Sequence, residues 1–218
     1  MPPDATLHGT LYLIPTPLGE GDLAWILPAE VRQQVSLLER FIVEHPKTAR
    51  HFLKQINPLR AIQTLKLEVL DEHTPAGEVE ALLAPLLAGE DVGLLSEAGC
   101  PAIADPGGAL VRMAHQKKVR VVPFVGPSSI LLALMASGLN GQRFHFHGYL
   151  PVASDIRNKE IARLEQTSIT ADETQIFIET PYRNQKLLEA LVQQCHTETD
   201  LCVACNLTQA DEYVSTKS

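Results

Sequence analysis

No apolar run in this chain of 218 residues is long enough to cross a bilayer. The longest, Ile130–Ala136, reads ILLALMA, where a spanning helix needs about 20 residues. The N-terminus, MPPDATLHGT, lacks the basic n-region and apolar h-region of a secretory leader. Aromatic residues are scarce at 5%, charged residues reach only 20% and apolar residues 45%, which excludes a disordered tail and a coiled coil. Gly and Pro stand in turn-like positions with no collagen or linker period. These absences predict a soluble cytoplasmic globular protein with no membrane partner.

The length suits either one large α/β unit or two small domains. Net charge is −8, concentrated late: from Glu165 onward nine acids face only Arg183, Lys186 and Lys217. An acidic field repels phosphate backbones, so charge alone does not argue for nucleic acid; a solubilising face is the simpler reading. Four Cys are present, Cys100, Cys195, Cys202 and Cys205. Cys202 and Cys205 have chelating spacing, but LCVACNL reads as a buried strand, in which positions three apart point to opposite faces. No second pair completes four ligands, so reduced core thiols are expected and no metal. His145 and His147 share a strand face, again without an evident third ligand.

Hydrophobic patterning lays out the elements. Leu11–Ile14 is a short strand running into Pro15-Thr16-Pro17-Leu18-Gly19. Asp22 can cap a short helix, and Pro28 suits the first turn of the next, AEVRQQVSLL. Phe41–Val43 reads as a strand, and Pro46 opens a helix with Ala49, Phe52 and Leu53 on one face. Leu67–Leu70 is a strand, and Gly77–Ala88 a single helix tolerating Pro85 with a kink. Asp91–Leu95, the loop Ser96–Gly108, the helix ALVRMAHQKK and the strand Val119–Val122 make a parallel βαβ crossover. Pro123–Ser129 then leads into an apolar helix ending at Gly138. Beyond Arg143 the texture changes. Phe144-His145-Phe146-His147 alternates as an antiparallel or half-exposed strand would, and Ser154–Thr174 holds one helix and loose connections. Gln175–Glu179, Tyr182–Gln194 and Leu201–Leu207 read as strand, helix and strand. The organisation expected is an N-terminal α/β domain over 1–124 and a C-terminal α+β domain over 125–218.

Three loops stand at the carboxyl ends of predicted strands, the edge where open α/β sheets bind ligands. They are Thr16–Gly19, Ser96–Gly108 and Gly126–Ser129. The second is long, built of small residues, and its only charges are Glu97 and Asp105. Small residues let a ligand approach the backbone, while two carboxylates argue against a phosphate cradle. They suit a ligand with hydroxyls, an amino group or a positive centre. For Asp105 the expectation is plainer: DPGG is a turn, with Asp105 capping the next helix.

LYLIPTPLG, SEAGCPAIADPG, VGPSSILLALMASGL, FHFHGYLP and ETPYR follow one another from Leu11 to Arg183. In that order the chain, from about residue 9 to 213, resembles the tetrapyrrole methylase superfamily of S-adenosylmethionine (SAM) methyltransferases. The similarity is strongest to the bacterial branch that 2′-O-methylates a cytidine ribose of small-subunit ribosomal RNA. The resemblance implies two α/β domains, an N-terminal parallel sheet and a C-terminal mixed α+β sheet, with SAM in the cleft between them and a homodimeric assembly. It implies that Leu18 sits near the cofactor, and that Glu97, usually Asp in the family, reaches the methionine part or ribose of SAM. Cys100 and Ile103 would add backbone and apolar contacts, Ser128 and Ser129 side-chain or amide contacts. Ile176–Ile178 and Ala204–Asn206 would enclose the adenine, with Ile178 and Ala204 as the named contacts.

Methyl transfer from a sulfonium is an in-line displacement, so alignment and desolvation are the enzyme's main contributions. A ribose acceptor would also use a base or an oxyanion-stabilising cation, for which Glu44, Lys47, Glu179 and Arg183 are the candidates at strand ends. Departures from the branch fall on the substrate side. Val43-Glu44-His45-Pro46-Lys47 replaces Ala-Glu-Asp-Thr-Arg, Asn206-Leu207-Thr208-Gln209 replaces Glu-Leu-Thr-Lys, and Gly19-Glu20-Gly21 replaces Gly-Asn-Leu. They predict a diverged paralogue whose acceptor need not be that RNA. The alternatives are a SAM-binding protein that has lost catalysis and acts through partners, or a tetrapyrrole methylase proper. The chain ends soon after Asp211-Glu212, which predicts shortened or absent final strands.

Overall fold

A computed structural model of the chain describes residues 8–218; the opening residues, on which the leader reading rests, lie almost wholly outside them. The chain divides into two compact units, one ending at Ser128 and one spanning Ser129–Ser218.

The first unit contains β1 (Thr10–Ile14), α1 (Leu23–Ile26), α2 (Ala29–Ser36), β2 (Arg40–Val43), α3 (Pro46–Ile56) and β3 (Lys66–Val69). It continues with α4 (Ala76–Ala81), α5 (Ala84–Leu87), β4 (Val92–Leu95), α6 (Gly108–Gln116) and β5 (Arg120–Pro123). The strands form one sheet in the order β3-β2-β4-β1-β5, every pair parallel. All five carboxyl ends therefore lie along one edge. Strand alternation splits the core into two layers. Tyr12, Ile14, Phe41 and Val43 pack with α1, α2 and α3, whereas Leu11, Leu13, Ile42, Val92 and Leu94 pack with α4, α5 and α6. At Gly93, in the middle of β4, an added Cβ would lie 2.6 Å from Ile14 Cδ1 and 2.8 Å from Phe41 Cδ1. The missing side chain is what lets the fully buried Phe41 ring lie against the sheet.

Local signals explain most boundaries. Asp22 caps α1, its Oδ1 accepting from Ala24 N at 2.8 Å. Asp22→Ala is expected to cost about 1 kcal/mol, read as a lower urea midpoint with unchanged slope. Pro28 sits one residue earlier than expected, at the N-cap of α2. The single helix expected over Gly77–Ala88 is instead two, α4 and α5, because Pro85 lacks the amide to continue the first and stands in the opening turn of the second.

The second unit contains α7 (Ser129–Ser137), β6 (Phe144–Tyr149), α8 (Ser154–Ala171), β7 (Thr174–Ile178), α9 (Asn184–Gln194), β8 (Leu201–Cys205) and β9 (Tyr213–Lys217). Its core is Leu150, Ile161, Leu164, Leu187, Ala190 and Leu191. β6 and β7 pair parallel and β8 and β9 antiparallel, as two separate two-stranded ladders. The alternation of Phe144–His147 thus marks a half-exposed parallel strand, not an antiparallel one. The polar stretch after it is one helix, α8, with only Asp172-Glu173 as a connection to β7, and this helix is long enough to return the chain parallel. His145 and His147 do share a face, their rings stacked at 4.2 Å. LCVACNL is not a buried strand: in a two-stranded ladder Val203 and Cys205 are exposed and Cys202 half-buried. All four cysteines are free, and among the described residues no group of three metal-ligating side chains comes together. No helix among them is long and apolar enough to cross a membrane.

Candidate active site

The parallel sheet brings the three loops to one edge, where they are bonded into a single body. Thr16, 4% exposed, donates its amide to Gly99 O at 2.9 Å and accepts from Gly99 N at 3.0 Å. Its hydroxyl donates to Ser96 O at 3.2 Å, and Ser96 Oγ donates to Gly99 O at 2.6 Å. Gly99 has φ +79°, which glycine adopts without strain, and a Cβ there would stand 3.2 Å from Leu18 Cδ2. Cys100 Sγ donates to Pro127 O at 3.3 Å, tying the second loop to the third. At Gly126 a Cβ would overlap Pro15, 2.3 Å from its Cβ, so the third loop lies directly on the first. Ala102 and Ala104 are held left-handed at φ 65° and 59°, a conformation costing roughly 1–2 kcal/mol for a residue with a Cβ. Strain of this kind, kept in a loop at a ligand-binding edge, is the mark of a functional segment.

The charge along this edge is negative. Glu44 follows β2, Asp71 and Glu72 follow β3, and Glu97 and Asp105 follow β4. Burial raises the Glu44 pKa; Glu97, Glu72 and Asp71 add to the rise and His45 opposes it. Asp105 is pushed up to about 6, first by burial and then by Glu44 and Glu97. Its Oδ2 is buried with no hydrogen-bond partner, and it does not cap α6, whose N-cap is Gly107 with no side-chain bond. The cap expected from DPGG fails because the loop turns Asp105 toward the other carboxylates. His45 Nδ1 lies 3.7 Å from Glu97 Oε1, and no Lys or Arg among the described residues pairs with Glu44, Glu97 or Asp105. Half-buried acids with no Lys or Arg beside them are matched by a ligand that brings its own positive charge.

Asp105 also gives a stability signature. Its folded value of about 6 lies above the ordinary 3.8, so between those pH values the folded chain binds the extra proton and stability falls as pH rises. After allowing for solvent screening, Asp105→Asn is expected to stabilise the chain by about 1 kcal/mol near pH 7.5 and by almost nothing below pH 4. Urea midpoints of the two proteins across that range check it.

The other candidates stand differently. Ile103 is half-exposed, its amide donating to Cys100 O at 3.4 Å, and Ser128 closes the first unit at the third loop. Lys47 is exposed on the first turn of α3. In the second unit Ser129 opens α7, Ile178 ends β7 and Ala204 lies in β8, all half-buried. Glu179 and Arg183 form a 2.7 Å ion pair. Glu179 Oε1 also accepts from Thr180 N at 2.8 Å, and Arg183 Nη2 donates to Leu150 O at 3.0 Å. This pair pins the turn between β7 and α9 to the end of β6. Sequence reasoning missed the Thr16–Ser96 knot and the Asp71-Glu72 step. The signal for the latter was available, since β3 presents its carboxyl end at the same edge.

Comparison with known proteins decides the family. No family model matches the chain. The ribosomal RNA small subunit methyltransferase I of Vibrio cholerae serotype O1 is 32% identical over 205 residues, covering 94% of this chain and 67% of the relative. That of Escherichia coli O157:H7 is 34% identical over 210 residues, covering 95% and 68%. The chain belongs to the ribosomal RNA small subunit methyltransferase I family. It is therefore a SAM-dependent methyltransferase, spanning about two thirds of the length of these relatives. The crystal structure of uroporphyrin-III-C-methyltransferase from Thermus thermophilus superposes with a TM-score of 0.54 over 96% of this chain and 82% of that one, at 19% identity. The chain thus shares the fold of that structure, in line with the two α/β units that the order of motifs implies.

Proposed function

We propose that this methyltransferase acts on a ribose 2′ hydroxyl of ribosomal RNA, with its cofactor held at the carboxyl edge of the first unit's sheet. The observation that carries the reading is the set of carboxylates with no Lys or Arg partner, Glu44, Glu97 and Asp105, on a knotted three-loop edge. SAM bears a sulfonium and an ammonium, and this donor set fits both charges. Leu18, Glu97, Cys100, Ile103 and Ser128 are the first unit's candidates to hold it; in the second unit the family resemblance names Ser129, Ile178 and Ala204. The acceptor class is supported by the relatives, whose names specify small-subunit ribosomal RNA.

SAM supplies an activated methyl group for in-line displacement. The chain's own part is to align the acceptor, exclude water and manage one proton. Glu44, with its raised pKa, would accept the hydroxyl proton at a carboxylate oxygen. Lys47, on the next turn of chain, would balance the charge that develops on the acceptor oxygen. In the second unit Arg183 is the candidate cation, oriented by Glu179. That ion pair also favours a second reading, a SAM-binding protein without catalysis, since both side chains are already engaged with each other and with the backbone.

Incubating the protein with small ribosomal subunits lacking the modification and methyl-labelled SAM separates the two. Label recovered as a 2′-O-methylated nucleoside supports the enzyme on this acceptor. Tight SAM binding with no label in RNA leaves the binding protein. We place the protein in the cytoplasm as a homodimer. The free cysteines fit a reducing compartment, and light scattering at about twice the 23.9 kDa chain mass is the expected result.

A further inference from the structure

We propose that the outer face of α3 is the surface on which the RNA backbone docks. The inference rests on the RNA reading above, but a separate observation carries it. In a chain of net charge −8, α3 (PKTARHFLKQI) contains no acid at all. Its inner face is Ala49, Phe52, Leu53 and Ile56, buried against the sheet. Its outer face carries Lys47, Arg50, His51 and Lys54, spaced i, i+3, i+4 and i+7 and all exposed. That spacing sets them in one stripe with neighbours about 5–6 Å apart.

Nothing among the described residues accounts for the stripe. Arg50 reaches only the backbone, Nη1 to Pro46 O at 3.4 Å, and His51 meets Gln55 at 3.1 Å. Among the described residues, neither Lys47 nor Lys54 has a carboxylate partner. Lys47 also stands in the first turn of the helix, where the macrodipole disfavours cations and no acid offsets it. Cations held against each other, with Lys47 held against the helix dipole as well, are matched by an external polyanion.

Position adds the direction. α3 begins immediately after Glu44 and His45, at the carboxyl end of β2, so the stripe starts at the acidic edge and runs about 10 Å away from it. Negative charge there suits a cationic cofactor, and positive charge beside it suits a polyanionic acceptor. Phosphates held along α3 would lead a ribose toward Glu44. A flexible backbone read through phosphates, not bases, fits side chains with no aromatic neighbour in the stripe.

The test is fluorescence anisotropy of the full chain with a short labelled RNA stem-loop, as a function of salt. Arg50→Gln/Lys54→Gln is compared with Arg112→Gln/Lys117→Gln, which removes equal charge elsewhere on the same unit. Removing two phosphate contacts lowers the log–log salt slope by about 1.4 and weakens binding about tenfold at 0.15 M salt. The α3 variant should show that loss and the control should not, while SAM titration shows both still fold. Equal effects in the two variants would overturn the docking face but leave RNA as acceptor. No RNA binding by the wild-type protein would overturn both. Loss of binding to phosphatidylserine vesicles with RNA binding unchanged would assign the stripe to a membrane surface and overturn it too.

Discussion

Glu97→Ala is expected to weaken SAM binding by about 10- to 100-fold, the cost of removing a charged partner from a hydrogen-bonded cation or hydroxyl. Glu97 lies one residue beyond Ser96, which is buried and bonded to both Thr16 and Gly99, so its backbone is fixed by the loop knot. Its truncation should therefore leave the fold intact. Calorimetric titration with SAM and with S-adenosylhomocysteine resolves what Glu97 holds. S-adenosylhomocysteine lacks the sulfonium charge and keeps the amino acid and ribose groups. Equal losses for the two ligands would place Glu97 on the methionine or ribose part. A loss confined to SAM would place it on the sulfonium. Unchanged affinity for both would remove it from the site.

The first unit was legible because its signals are local and agree with one another. Short apolar strands, small-residue loops and amphipathic helices repeat in the order that a parallel sheet requires, and the carboxyl-edge rule then locates the three loops. What failed there depended on a single residue outweighing a pattern, as Pro85 does in splitting α4 from α5. Asp105 failed for a different reason. DPGG is a turn in sequence, but the neighbours that set its carboxylate, Glu44 and Glu97, arrive from other strands. The second unit was less legible because strand sense there is set by tertiary pairing. Alternation in Phe144–His147 is compatible with either sense, and only α8 as a crossover settles it. The stripe on α3 is present in the sequence, yet a net charge of −8 conceals it until burial separates the two faces of the helix.

Glu44→Gln is expected to lower the methyl-transfer rate by about 100-fold, within the range for loss of a general base. Two features single out Glu44 among the acids of the edge. Its pKa is raised, as that of Asp105 is, chiefly by burial and then by Glu97, which makes it a better proton acceptor than an ordinary carboxylate. It also immediately precedes His45 and α3, at the point where the acidic edge gives way to the cationic stripe. The rate of the wild-type protein should rise with pH through the titration of Glu44 and then level off, and the Gln variant should lose that limb. SAM affinity should change far less in Glu44→Gln than in Glu97→Ala, because the charge on Glu97 and Asp105 remains. Removing one like charge should also lower the Asp105 pKa from about 6, since Glu44 helps to hold it up. A merely structural Glu44 would reduce SAM affinity and rate together and leave the shape of the pH profile unchanged. A base produces the opposite split, a fall in kcat with KM for SAM nearly kept.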